Sequence, residues 1–393
     1  MRVFSLIIIT VSLNFFVGCN FKSDASADIP IITIKPEEAE NPNWDHFNLT
    51  PAVEYHDSLF IEKIPAIDVD RDGNLFVAAE RHRIRSIYKY SPEGELADTI
   101  GRLGREPGEF ESIRNIQTEG DTLFVFDDEL NRVSRFDINS LEFLESTEFN
   151  SSFQITFGES LVLKPTPIQL WDENRFLIEF TDNRNPAFYT DRMQYYLMAD
   201  VSGLIDDKEL FSLNAENYQI GDHAGRPSAF LLPYSERSLL TQFQNDKFYT
   251  AWTENFEIRE RDVSGSVQRI IRNPFKRAKL DAEKLIEREF SHNRQLYLTR
   301  ASANYPLEWP AIYTMLTDDQ GHIWLALISD DETYFEWWIL DPDKDRQMVQ
   351  YTFTWPRSSL FKKVSDGYAY AVEPDENGFK KVVKYKVQYN SLN

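Results

Sequence analysis

From residue 66 onward the chain alternates short apolar runs with Asp, Asn and Gly turns, and one arrangement keeps returning. An apolar strand meets a turn, a second apolar strand follows, and a polar loop leads into two more strands. The clearest copy is residues 66–78, Ala-Ile-Asp-Val-Asp-Arg-Asp-Gly-Asn-Leu-Phe-Val-Ala, in which Asp72-Gly73 is a strong hairpin signal. Weaker copies follow in order. Residues 116–126 turn at Glu119, Gly120 and Asp121, residues 168–180 at Asp172, Glu173 and Asn174, and residues 239–252 at Gln244, Asn245 and Asp246. Residues 313–327 turn at Asp318, Asp319, Gln320 and Gly321, and residues 361–372 at Asp366 and Gly367. Six units result.

Each unit runs on into strands of alternating character, such as 87–90 (Ile-Tyr-Lys-Tyr), 133–136 (Val-Ser-Arg-Phe) and 337–340 (Trp-Trp-Ile-Leu). Four short strands per unit, repeated at roughly 45 to 70 residues, predict an all-β, six-bladed β-propeller. A pair of β-sandwiches is the alternative, but a sandwich has no reason to repeat the turn between the first two strands. The last unit reaches only its third strand, residues 381–387, before the chain ends. The strand-like segment 53–64 is therefore expected to complete the sixth blade, tying the two ends together and removing an exposed sheet edge. One stretch breaks the pattern. Residues 281–294 carry Ala282, Leu285, Ile286 and Phe290 at helical spacing, which predicts one short amphipathic helix between blades four and five. It would serve as a cover on the disc or as a lid over the channel.

Residues 67–77, 88–95 (Tyr-Lys-Tyr-Ser-Pro-Glu-Gly-Glu) and 101–110 (Gly-Arg-Leu-Gly-Arg-Glu-Pro-Gly-Glu-Phe) together resemble an NHL-type propeller blade. The other five units agree by pattern only.

The amino-terminal end is of a different kind. Arg2 precedes an apolar run over residues 3–17, interrupted only by Ser5, Thr10, Ser12 and Asn14, and Phe16-Val17-Gly18-Cys19 follows. That order reads as a signal peptide, and the run falls short of the ~20 residues of a spanning helix. The last four residues resemble the lipobox of bacterial lipoproteins, with Phe16 where that family prefers Leu. The resemblance implies lipidation at Cys19, and acyl chains at roughly 0.8 kcal/mol per buried methylene would make membrane attachment lasting. Residues 1–18 are thus expected to be a signal peptide, 19–47 the lipidated cysteine and a flexible tether, and 48–393 the propeller. Within the tether only the patch 31–34 reads as able to pair as a strand. The whole chain resembles the six-bladed propeller lipoproteins of Bacteroidetes-like bacteria. Lys22-Ser23-Asp24 is similar to their surface-export signals, and leaves periplasmic and outward-facing placement both open.

Composition narrows this further. Cys19 is the only cysteine, so the body has no internal disulfide or thiolate metal cluster. With 42% hydrophobic and 14% aromatic residues, packing alone has ample material. A formal net charge of −22, spread along the chain, repels phosphate backbones and excludes nucleic acid as a partner.

Propeller topology gathers the loops 80–85, 102–110, 127–131, 221–234, 253–256, 305–310 and 329–334 on one face around the channel mouth. In an acidic chain, Arg81, His82, Arg83 and Arg85, with Arg102, Arg105 and Arg114, form a cationic set there. Arginine forks grip carboxylates, which suits an anionic ligand such as a uronic acid or acidic peptide; the competing reading is pairing with neighbouring acids. Tyr234, Tyr305 and Trp309 are candidates to stack on sugar rings, or else pack between blades. Propellers of the gluconolactonase type hold a divalent cation in the channel, and Asp68, Asp127, Asn255 and Asp330 are the corresponding weak candidates here. No pair of them has diagnostic spacing, the six histidines show no HxH or HExxH pattern, and no GxSxG or P-loop occurs. The first expectation is a non-catalytic binding or scaffold module, with no required cofactor, recognising a peptide, protein or glycan. A metal-dependent lactonase or lyase is the alternative.

Overall fold

The structure is a computed structural model that describes residues 29–35, 38, 47–55, 60–149, 153–157, 159–172, 174–242, 246–344 and 347–389. The signal segment, Cys19 and Lys22-Ser23-Asp24 lie outside the described residues.

Six sheets, each built on four antiparallel strands, follow one another around a ring. Blade one is Ile67–Val69, Leu75–Arg81, Ile84–Tyr90 and Leu96–Ile100; blade two is Ile113–Glu119, Thr122–Asp127, Arg132–Asp137 and Phe143–Glu148. Blade three is Thr166–Asp172, Arg175–Thr181, Met193–Asp200 and Phe211–Asn214; blade four is Ser238–Leu240, Lys247–Trp252, Glu257–Asp262 and Val267–Arg272. Blade five is Ile312–Thr317, Ile323–Leu327, Tyr334–Leu340 and Val349–Pro356; blade six is Leu360–Ser365, Tyr368–Pro374 and Lys380–Tyr389, completed by Phe47–Tyr55. All six turns expected between first and second strands fall at those junctions, although Glu173, Gln244 and Asn245 lie outside the described residues.

The second strand of each blade is apolar on both faces because both faces meet a neighbouring blade. Along Leu75–Arg81 the pleat sends Leu75, Val77 and Ala79 towards blade six and Phe76 and Ala78 towards blade two. The same alternation in the other blades produces six inter-blade cores, one at each junction of the ring. Fully burying one of these large side chains contributes about 1.5–3 kcal/mol.

Much of the acidity serves the turns. The Asp70 carboxylate accepts the backbone N–H groups of Asp72 (3.0 Å) and Asn74 (2.8 Å), and Asp318 does the same for Gln320 and His322. Asp137, Asp200, Asp262 and Asp341 repeat the device between third and fourth strands, and Asp375 does so between the second and third strands of blade six. An Asp side chain thereby satisfies donors that a tight turn leaves orphaned.

The ring closes with the amino-terminal strand, but earlier in sequence than expected. Phe47–Tyr55 pairs antiparallel with Lys380–Tyr389, whereas of the described residues further along the expected segment only Ile61 still hydrogen-bonds to this strand, accepting from the Lys380 backbone N–H (2.7 Å), and Lys63 bridges to Glu80 of blade one. Pro51 disguises the strand in sequence; it is accommodated at a register shift on an edge strand, where a missing N–H costs least. The patch within the tether does pair. Ile31–Thr33 lies parallel to Val267–Arg272 as a fifth strand of blade four, and Ile34, only 1% exposed, enters the core between blades four and five.

Two hairpins lie in the connections between blades, Phe153–Phe157 with Glu159–Leu163 between blades two and three and Gln219–His223 with Arg226–Phe230 between blades three and four. The expected single helix is two: α1, Ala282–Phe290, capped by Asp281, and α2, Arg294–Ala301, capped by Asn293. Leu285 and Ile286 of α1 are buried, Leu285 among Phe230 and Leu232. Gly221 lets the second hairpin approach α2, since any Cβ there would sit 2.1 Å from the Thr299 carbonyl oxygen. The pair covers this hairpin and contributes no residue to the channel lining.

Candidate ligand-binding site

The first strands of all six blades line a central cavity of about 420 Å³. Its wall is more polar than a packed core: Arg114 and Asn115 come from blade two, Gln169 from blade three, Thr241 and Gln242 from blade four, and Lys362 and Lys363 from blade six. Glu179 accepts from Arg114 (3.2 Å), from the Tyr196 hydroxyl (3.2 Å) and from the Thr181 hydroxyl (2.6 Å). Burial, then the Glu179 charge, holds the Tyr196 phenol well above its ordinary value. Deeper along the wall, Asp68 is 2.7 Å from the Lys363 ammonium and accepts from the Thr118 backbone N–H (2.7 Å) and hydroxyl (3.0 Å). Lys362, exposed to the open lumen, lines the cavity; partial desolvation by the channel wall, then the charges of Lys63 and Arg237, pulls its ammonium below the ordinary lysine value.

The cationic loop set is largely spent on neighbouring acids. Arg102 pairs with Glu109 (2.7 Å), Arg105 with Glu111 (3.1 Å), Arg85 with Glu80 (3.7 Å) and Arg114 with Glu179. Arg81 lies over the Phe60 ring, and the His82 backbone N–H donates to Glu62 (3.4 Å). Arg83 is exposed. The set does not converge on one centre.

Two of the aromatic candidates do converge. Tyr234 and Trp309 meet edge to face, with centroids 5.2 Å apart, in a groove of about 140 Å³ between α1 and the loop after Ile323–Leu327. Lys279, Asp281, Lys284, Arg288, Asp330, Glu332 and Arg357 also line it. Arg357 orders this groove: its Nη1 donates to the Tyr234 hydroxyl (3.2 Å) and its guanidinium covers the Tyr234 and Phe335 rings. Lys284 pairs with Glu332 (2.6 Å), and that pair, with Arg288, holds the Glu332 carboxyl below the usual range. Tyr305 does not join them. It packs with Phe230 (6.2 Å), beside the Arg300 guanidinium that lies over that ring.

The divalent-cation candidates are scattered. Asp68 is held by Lys363 and Thr118 in the channel, whereas Asp127 accepts backbone N–H bonds from Glu111, Ser112, Glu129 and Leu130 as a loop staple. Asn255 borders a separate cavity lined by residues of blades three and four, and Asp330 lies in the α1 groove. Among the described residues no group of three or more His, Cys, Asp or Glu is placed to hold a metal ion. Sequence reasoning about loops missed the channel wall. The signal was available: Arg114-Asn115, Gln169 and Lys362-Lys363 are polar interruptions in first strands that otherwise read as core.

Architecture and channel together define the class, a six-bladed β-propeller with its polar cavity along the axis. Residues 52–219 match the DUF5128 family, described as a 6-bladed beta-propeller. Among solved structures the chain is similar to a DUF4221 family member from Bacteroides vulgatus, at 10% identity over 88% of this chain and 99% of that one, with a TM-score of 0.54. It is also similar to a Bacteroides fragilis protein named for its expected export, at 13% identity over 91% and 99%, with a TM-score of 0.51. At these identities the likeness speaks for the fold alone. No curated protein matches the sequence.

Proposed function

We propose that this chain is a membrane-anchored, non-catalytic binding module, held by lipid on Cys19 and recognising a glycan through the face that carries the Tyr234–Trp309 groove. The observation that carries the reading is the groove itself. The half-buried Trp309 indole and the part of the Tyr234 ring that Arg357 leaves uncovered supply apolar surface for a sugar ring, and cations and carboxylates at the rim supply hydrogen bonds for hydroxyl groups. Lys284 and Arg288 of the rim both pair with Glu332, which suits them to orient a ligand rather than to perform acid–base chemistry.

The test uses the chain without residues 1–18 and with Cys19→Ser, applied to arrays of glycans and of peptides. Glycan capture that falls at least tenfold in Trp309→Ala and Tyr234→Ala, at unchanged melting temperature, supports the reading. Capture of peptides alone, or glycan capture indifferent to both substitutions, overturns it. The anchor is tested separately by metabolic labelling with a radioactive fatty acid, which must be incorporated by the full chain and lost in Cys19→Ser.

A further inference from the structure

Two of the three cations that line the channel are neutralised by a carboxylate within reach: Arg114 by Glu179 at 3.2 Å and Lys363 by Asp68 at 2.7 Å. The third is not. Among the described residues Lys362 has no ion pair and no hydrogen bond to its ammonium, and the charges that act on it, Lys63 and Arg237, are also positive. Arg237 itself is committed elsewhere, donating to the Tyr313 carbonyl oxygen at 2.7 Å. The lumen therefore carries one uncompensated positive charge. Across the ring, Gln169 is 3% exposed and its amide Nε2 has no partner among the described residues. A buried amide donor left unpaired costs roughly 1–3 kcal/mol, so it is an unusual feature to keep. Its terminal torsion is soft, and a rotation would present the donor to the lumen. The cavity, about 420 Å³, falls in the range of small-molecule sites.

We infer that the channel is a second binding site, for a monoanionic carboxylate of about monosaccharide size, with Lys362 as its counter-ion and Gln169 as a hydrogen-bond donor. The inference deepens the binding-module reading and rests on it, but uses residues separate from the groove. A single net cation with neutral donors matches one carboxylate. A phosphate dianion would call for a second free cation or an arginine fork, and the arginine of this wall is already paired. The ring hydroxyls of a sugar acid would meet Asn115, Thr241 and Gln242.

Isothermal titration at pH 7 tests this with D-glucuronate, D-galacturonate, gluconate, D-glucose and inorganic phosphate as probes. At least one of the three carboxylates is expected to bind at least tenfold more tightly than glucose and phosphate. Lys362→Met should lose that binding at least thirtyfold, Gln169→Leu should weaken it severalfold, and Trp309→Ala should leave it unchanged. Because an unpaired cation is removed, Lys362→Met is also expected to melt at or above the wild-type temperature, which separates lost binding from lost folding. The carboxylate should raise the wild-type melting temperature by mass action and leave Lys362→Met unmoved. Failure of all three carboxylates to bind, equal binding of glucose, or binding retained in Lys362→Met overturns the channel site. Glycan capture at the groove would survive any of these outcomes, so failure of the channel site is distinguishable from failure of the binding-module reading.

Discussion

Lys363 of the sixth blade holds its ammonium 2.7 Å from the carboxylate of Asp68 in the first blade, and Thr118 of the second blade donates twice to the same carboxylate. One side chain thus joins the innermost strands of blades six, one and two. Burial would depress the Lys363 ammonium, but the Asp68 charge and hydrogen bond outweigh it and the value is raised.

Asp68→Asn is therefore expected to destabilise the fold by about 1–3 kcal/mol, because it leaves a half-buried ammonium without its carboxylate. Lys363→Met combined with Asp68→Asn should recover part of that loss, and denaturant titration of the single and double variants measures the coupling. The pH sign follows from the raised lysine. Its contribution is complete below the ordinary lysine value and fades only as pH rises through the higher folded value, so the coupling should be the same at pH 6 and pH 8. Strict additivity of the two substitutions would count against the pair as a link between blades.

His322 and Asp318 give a contribution that does depend on pH near neutrality. Burial alone would raise the Asp318 carboxyl, but the hydrogen bond and charge of His322 and the Trp324 indole N–H (3.1 Å) more than offset it, and the carboxyl is lowered. The hydrogen bond to Asp318, at 2.9 Å, raises His322. The raised histidine stabilises fully below its ordinary value, and that part is lost as pH climbs through the folded value. The lowered carboxyl stabilises above its ordinary value and is lost as pH falls through the folded one. The two shifts describe one interaction, so its benefit peaks in mildly acidic solution. His322→Gln should cost most near pH 5.5 and least near pH 8.5, measured by denaturant titration across that range. A flat difference would show that the ion pair contributes nothing.

How much of this was legible in sequence depends on what each residue must satisfy locally. Turns such as Asp72-Gly73 and Asp366-Gly367 declare themselves because tight backbone geometry admits few residues, and the blade count follows from them. The closing strand was misplaced because Pro51 looks like a break, and only the partner Lys380–Tyr389 shows that an edge position tolerates it. Helix α2 was missed because Leu296, Tyr297 and Leu298 are exposed, which leaves no apolar stripe to read. At the candidate site, Tyr234, Trp309 and Asp330 were nominated singly, and only tertiary packing shows that they share a groove that Tyr305 does not. Lys362 passed unnoticed because loops, not strands, were searched for chemistry.

The docked strand 31–33 makes a stability prediction that sequence alone would place in a tether. Ile34→Ala removes a side chain 1% exposed within the core between blades four and five, and is expected to cost about 2–4 kcal/mol. Ile31→Ala, at a position 53% exposed on the outer face of the same strand, should stay within roughly 0.5 kcal/mol. Equal, negligible effects in denaturant titration would mean that the segment is not part of the folded body.

Arg357 provides the sharpest probe of the groove, because its role depends on shape as well as charge. Its Nε donates to the Tyr334 carbonyl oxygen (3.1 Å), Nη1 to the Tyr234 hydroxyl (3.2 Å), and Nη2 to the carbonyl oxygens of Ser329 (3.0 Å) and Asp331. A lysine retains the charge but cannot serve acceptors spread around a planar fork. Arg357→Lys should therefore free the loop 329–334 and the Tyr234 ring together, lowering stability by about 1–3 kcal/mol. Glycan capture should fall by an order of magnitude or more, and carboxylate binding in the channel should be unaffected. Equilibrium unfolding and array binding on the same variant measure both. If Arg357→Lys binds glycan as the wild type does, the groove is not the recognition surface, whatever the variant's stability.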